Sequence, residues 1–367
     1  MGGGSAGRSL QAVWDGEIGI GWDAAQRALA TAIQHSTRTP VDFDELLVMS
    51  GDAFAAMSSD VYQDVTYLAG AIDVMTQASR AYGFSGQWRF PDSFEEALGE
   101  VGGEIDAGRP VPAGGAAQPY GCPPWGLVTG YCSQEPLFCF AGYPGGLRWM
   151  PVRGDCGRQD TGPWNGRVRG LLTQQGRFWF DRPLFILGPP TGPPTAPAQR
   201  RHALELARSA MQAGPHRIDY WGGVTYYFGL SALEHLSEDL RHIDATRLLD
   251  QPLPADAYDW YEFDEVISSC AQIVMRGRGA ALRVFPRWAR EDTHLAPLAQ
   301  ALGPLESSVQ AAQAIYSAAT PAWLWEQSPA DIADPAWRED VADHFSRILD
   351  NDRTCARVIT GVLDVRS

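Results

Sequence analysis

Acyl transfer by a side-chain nucleophile needs a thiolate or alkoxide, an imidazole within hydrogen-bond reach and a carboxylate that orients the ring. The chain has six cysteines, at 122, 132, 139, 156, 270 and 355, and seven histidines. His35 falls at the end of the first predicted helix and the other six lie from His202 onward, so no histidine accompanies the cysteines at 122–139. The cysteines form no C-x-x-C pair and no Cys/His spacing of the zinc kind, which predicts reduced thiols and no metal. A local Cys132–Cys139 bridge is the alternative. His235 and His242, seven apart on one helix face, have the spacing of paired ligands or bases; beside Glu234, Glu238 and Asp239 they read as a solvated stripe. Carboxylate groups such as Glu95–Glu96, Glu262 with Asp264 and Glu265, and Asp331 with Asp334 sit at helix starts or exposed helical faces, where acids are favoured without any catalytic role.

Several chemistries are excluded by one absence. All 29 cations are arginine, because the sequence contains no lysine. A Schiff base to pyridoxal phosphate, a Walker A lysine, a kinase strand lysine and a Ser-Lys dyad each need an ammonium group. The glycines of Gly114-Gly115-Ala116-Ala117 lack the G-x-G-x-x-G spacing, so a phosphate-binding cofactor loop is not indicated. Against 44 acids the net charge is −15, which repels phosphates and argues against a nucleic acid or an anionic membrane as partner. No apolar run approaches the ~20 residues of a membrane span and no signal pattern opens the chain, so a cytoplasmic location is expected.

The elements that would position any site follow from periodicity. Residues 1–9 read as a disordered start. Asp23 to His35 carries Ala25, Ala28, Leu29, Ala32 and Ile33 at helical spacing, with Asp23 and Gln26 placed as a capping box. Val65–Tyr82 and Phe94–Val101 read as further helices. Val128–Tyr131 and Leu137–Phe140 are short aromatic-rich runs separated by four residues, a β-hairpin pattern. Arg182–Gly188 reads as a last buried strand, and the prolines of 189–197 then mark a stiff linker, taken as 191–198. Beyond it Arg200–Ala213, Val224–His242, Asp259–Phe285, Pro304–Trp323, Pro329–Leu349 and Asn351–Leu363 predict an antiparallel helical bundle.

The segment Pro123-Pro124-Trp125-Gly126-Leu127-Val128-Thr129-Gly130-Tyr131-Cys132 resembles the strand "Pro-His-Trp-x-x-Val-x-Gly-Tyr-Asp" of the papain-like superfamily. The nearest likeness is to double-glycine leader peptidases and to acyltransferases of the butirosin biosynthesis protein H-like group. Three other stretches add to it in the family's order: Val41–Phe54, the closing strand Pro183-Leu184-Phe185-Ile186-Leu187-Gly188, and Tyr220–Glu234. The resemblance implies an α+β fold: a papain-like domain over 10–190, made of an N-terminal helix plus an antiparallel sheet, followed by an all-helical C-terminal domain over 199–367.

It also implies where the chemistry would stand. The nucleophilic thiol's place at the start of the first helix is taken by Trp22, Asp23 and Ala24, the histidine's by Pro124, and the orienting acid's by Tyr143-Pro144. A pseudoenzyme is therefore expected, with Trp22, Asp23, Pro124, Trp125 and Tyr143 lining the former cleft around a small molecule, a peptide or a carrier-protein-bound acyl group. Of thirteen tryptophans, Trp22 and Trp125 would face each other across it. Two alternatives stand beside this reading. In one, Cys122, two residues before the histidine slot, is a relocated nucleophile of an acyltransferase or amide hydrolase. In the other, the bundle is a structural partner in a biosynthetic complex.

Overall fold

The computed structural model describes residues 8–10, 24–59, 73–89, 91, 94–113, 125–132, 137–141, 148–151, 184–218, 224–242, 259–319 and 334–365. In chain order the elements are β1 (Arg8–Ser9), α1 (Ala24–Thr37), α2 (Phe43–Met49), β2 (Met57–Ser59), α3 (Val74–Ala81), β3 (Gln87–Arg89), α4 (Phe94–Asp106), β4 (Val111–Ala113), β5 (Gly126–Cys132), β6 (Leu137–Ala141), β7 (Arg148–Pro151) and β8 (Leu184–Ile186), then α5 (Ala196–Gln212), β9 (His216–Ile218), β10 (Val224–Phe228), α6 (Leu230–His242), α7 (Asp259–Glu291), α8 (Leu302–Ala319) and α9 (Pro335–Asp364). Helices and small antiparallel sheets place the chain in the α+β class. It divides into two compact units, one of Met1–Leu46 with Met75–Ala196, the other of Leu47–Val74 with Pro197–Ser367.

In the first unit the strands run β3-β8-β4-β5-β6-β7, each pair antiparallel, and β1 pairs with β5 at Gly130 and Tyr131. The hairpin predicted from the aromatic runs is present as β5–β6, with a bulge between Val128 and Gly130. The expected closing strand is β8. One face of the sheet is covered by α4, whose Ala97, Val101 and Ile105 pack on Val111, Ala113, Val128, Leu184 and Ile186. Helix α1 contacts β4 and β5 but contributes nothing to that cluster, so it lies on the opposite face, where strand alternation puts Leu127 and Phe185. Burial on both faces explains why β5 reads as a continuous apolar run.

A carboxylate fastens three ends of this unit. Glu104, in the last turn of α4 and 8% exposed, accepts from Arg109 Nε at 2.8 Å and Nη2 at 2.7 Å, and its Oε2 accepts from the Gly188 backbone N–H at 3.3 Å. The exit of α4, the entry to β4 and the segment after β8 thus share one acid. A buried carboxylate is tolerated because both oxygens find charged or backbone donors. His35, half-buried near the end of α1, bonds the Gly108 backbone. Its burial and the nearby Arg38 guanidinium hold its pKa below the ordinary imidazole value, outweighing that bond, so the folded unit favours the neutral ring.

The second unit corrects the expectation of an all-helical C-terminal domain. Between α5 and α6 the chain forms β9 and β10, and β10 pairs with β2 on its other side, giving the three-stranded sheet β2-β10-β9. Val224–His242, expected as one helix, is a strand and a helix joined at Gly229. The run Val224-Thr225-Tyr226-Tyr227-Phe228 is β-branched and aromatic, which favours the pleated conformation. Gly229 turns it with φ of 59°, and a Cβ there would run into the Ala210 carbonyl.

Around this sheet α6, α7, α8 and α9 pack pairwise, with residues such as Leu233, Leu236, Ile267, Val274, Ile315 and Phe345 in one core. Helix α7 runs on through Pro286, where the sequence predicts a stop. Phe285 and Trp288 flank that proline and are both fully buried, so packing outweighs the lost backbone bond. The two helices expected over 329–363 are one, α9, capped by the Asp334 carboxylate on the Ala336 N–H with Pro335 next in line.

What places Asp350-Asn351-Asp352 inside α9 is a buried ion pair. Arg278 of α7 and Asp352 are fully buried. Arg278 Nε reaches Asp352 Oδ1 and Oδ2 at 3.3 and 3.2 Å, and Nη2 bonds Oδ2 directly. Nη1 donates to the carbonyls of Ala53 at 2.9 Å and Ala55 at 2.8 Å, and Ser308 of α8 reaches Oδ1 at 3.4 Å. The guanidinium also lies over the Phe54 ring at 5.4 Å, and Phe54 stacks on Phe285. Gly277 permits this approach: a Cβ there would stand 2.5 Å from the Ala53 oxygen.

Two outcomes are expected. Replacing Arg278 by Met strands a buried carboxylate and two backbone carbonyls, and costs about 3–5 kcal/mol in urea unfolding of the full chain. Adding Asp352→Leu to it recovers only part of that loss, because the carbonyls of Ala53 and Ala55 stay without their donor. For His35, the unfolded ring titrates near ~6.5 and the folded one lower. Stability from this group is present above ~6.5 and declines as pH falls below it. The drop in Tm between pH 7.5 and 5.5 is therefore smaller in His35→Asn than in the parent; equal drops would remove His35 from the account.

Candidate functional site

The residues singled out from the sequence as a cleft converge, on that reading, where α1 and β5 begin. Trp125 directly precedes β5 and is 3% exposed. Its ring meets Trp88 of β3 edge-on, centroids 5.6 Å apart at 72°, and Trp88 meets Phe185 of β8 in the same way at 5.0 Å and 76°. Edge-to-face contacts direct ring hydrogens at a neighbour's π face and contribute about 0.5–1.5 kcal/mol each beyond area burial. Trp125 is thus held on one side by a rigid aromatic row. Trp22, Asp23, Cys122, Pro124 and Tyr143 lie outside the described residues, as does Cys156. At the first turn of α1, Ala24, Ala25 and Gln26 are buried and Arg27 is exposed, and none of the four is a nucleophile.

The described thiols are poor nucleophiles. Cys132, Cys139, Cys270 and Cys355 are all buried. Burial raises the pKa of Cys139, and pushes Cys270 up to about 11 and Cys355 up to about 12. For the last two, the Arg278 guanidinium pulls the other way without reversing the effect. Such thiols stay protonated at neutral pH and neither attack carbonyls nor bind soft metals readily. Cys132 and Cys139 are diagonal, not opposite: Cys132 pairs with Leu137 and Cys139 with Gly130. Diagonal Cα atoms in a sheet are ~7–8 Å apart, beyond the reach of a relaxed disulfide. Among the described residues no group of three or more His, Cys, Asp or Glu side chains is placed to hold a metal.

Sequence reasoning missed one polar cluster in the second unit. His235, read as part of a solvated stripe, is half-buried. Its Nδ1 lies 3.1 Å from Ser58 Oγ of β2, and its ring stacks on Tyr227 of β10 with centroids 4.0 Å apart at 13°. Ser58 is fully buried and its hydroxyl also reaches the Ala232 carbonyl at 3.4 Å. The available signal was the strand character of Val224–Phe228, which brings Tyr227 and Ser58 opposite each other. A serine so enclosed orients the imidazole and offers no path for a substrate carbonyl. His242 on the same helix is exposed.

Of the acids flagged in the sequence, Glu95 and Glu96 are exposed in the first turn of α4 and Asp334 is the cap of α9, which are the roles that helix electrostatics gives to acids. No helix among the described residues is long and apolar enough to cross a membrane. In comparisons with protein-family models and with curated proteins, nothing matches the chain.

The thiol environments set a labelling pattern. Under native conditions at pH 7.5 with excess iodoacetamide, Cys132, Cys139, Cys270 and Cys355 stay unmodified while a urea-unfolded control labels at all of them, as read by peptide mass spectrometry. Fast native labelling at Cys270 or Cys355 would contradict the buried core described around Arg278.

Proposed function

We propose that the chain is a papain-like protein that has lost papain-type chemistry and uses the cleft at the start of α1 and β5 to hold a small molecule, a peptide or a carrier-bound acyl group. The observation that carries this reading is the arrangement of the first unit. A single N-terminal helix lies on an antiparallel sheet against β4 and β5, and β5 is the strand whose sequence resembles the family's histidine strand. On the family's pattern the reacting groups would be a thiolate at the helix start, an imidazole at the head of that strand and an acid after the next one. The sequence offers Trp22-Asp23-Ala24, Pro124 and Tyr143-Pro144 instead. Without that thiol the papain-type attack on a carbonyl is lost, and without that imidazole so is the base that would draw its proton and return it to a leaving group. What remains on this reading is recognition, and the packed aromatic row of Trp125, Trp88 and Phe185 holds the head of β5 in place behind it.

An active enzyme with Cys122 as nucleophile is the outcome that would replace this reading, and one pair of measurements separates the two. At pH 6.5 an ordinary thiol of pKa ~8.5 is about one per cent thiolate, whereas an activated one is mostly ionised. With limiting iodoacetamide, Cys122 is expected to label no faster than an unstructured peptide thiol. Acetyl- and hexanoyl-pantetheine, used as probes, are expected to raise the Tm of the native chain with the thioester intact. Selective labelling of Cys122 together with release of free pantetheine, both lost in Cys122→Ser, would overturn the proposal. Failure of these probes and of Gly-Gly peptides to shift the Tm would also overturn it, leaving the chain as a structural partner.

A further inference from the structure

We draw no further inference here: the strongest candidate, the Ser58–His235–Tyr227 cluster between the helix Leu230–His242 and the three-stranded sheet of the second unit, is accounted for by packing, since Ser58 is fully buried and nothing in the structure places a ligand against the imidazole.

Discussion

The second unit depends on one buried cation. Arg278 takes a full charge into the core, where an unpaired guanidinium would be prohibitively costly, so every donor direction has to be answered. The answers come from four places in the sequence: Asp352 of α9, Ser308 of α8 through that carboxylate, and the carbonyls of Ala53 and Ala55 flanking the Phe54 turn. A hydrophobic contact could slide by half a turn at little cost. This one cannot, because the planar fork must meet a carboxylate on one edge and two carbonyls on the other. The pair therefore fixes the register of α7 against α8 and α9, and holds the segment after α2 to the bundle although it lies more than two hundred residues away in the chain. Leu47–Val74 belongs to the second unit for this reason together with the pairing of β2 with β10.

The first unit solves a similar problem with less burial. Glu104 brings the exit of α4, the entry to β4 and the stretch after β8 to one point through Arg109 and the Gly188 N–H. The sheet between them is bound by side chains on both faces: aliphatic residues under α4, aromatic ones on the other side. Short strands such as β3, β4 and β8 have little ladder of their own, and the packing of Trp88 on Trp125 and Phe185 compensates by linking β3, β8 and the head of β5 across the sheet.

How much of this was legible depended on whether the deciding interaction was local. Helix α1 and the β5–β6 hairpin announce themselves, because their apolar spacing is the spacing of the faces they bury. Val224–Phe228 misled because its apolar residues also fit a helical stripe continuing into Leu230–Leu240; only the left-handed Gly229 separates the two conformations. Asp350-Asn351-Asp352 looked like a helix break, and Pro286 like a stop, because each is unfavourable by local propensity. Both are outweighed by distant partners, Arg278 in one case and the buried Phe285 and Trp288 in the other. At the candidate cleft the sequence supplied the vacant positions through a resemblance, while the aromatic row behind Trp125 needed β3 and β8, which are about a hundred residues apart.

The placement of the histidines bears on whether the chain could rebuild an acyl-transfer site. His35 is the sole histidine in the sequence before His202, and it sits at the opposite end of α1 from Ala24. Eleven residues of helix separate them, about 16 Å at 1.5 Å per residue. That distance is five times a hydrogen bond, and the His35 ring is engaged with the Gly108 backbone. It cannot act as base at the start of the helix without unfolding the element that defines the site. Lysine is absent, and arginine does not give up its proton. A guanidinium lowers a neighbouring thiol's pKa, as Arg278 does in part for Cys270 and Cys355, but it cannot serve as the base that takes a proton and returns it to a leaving group. Before His202 the sequence thus holds cations able to steady a thiolate but a single imidazole, and helix α1 keeps that imidazole about 16 Å along its axis from Ala24.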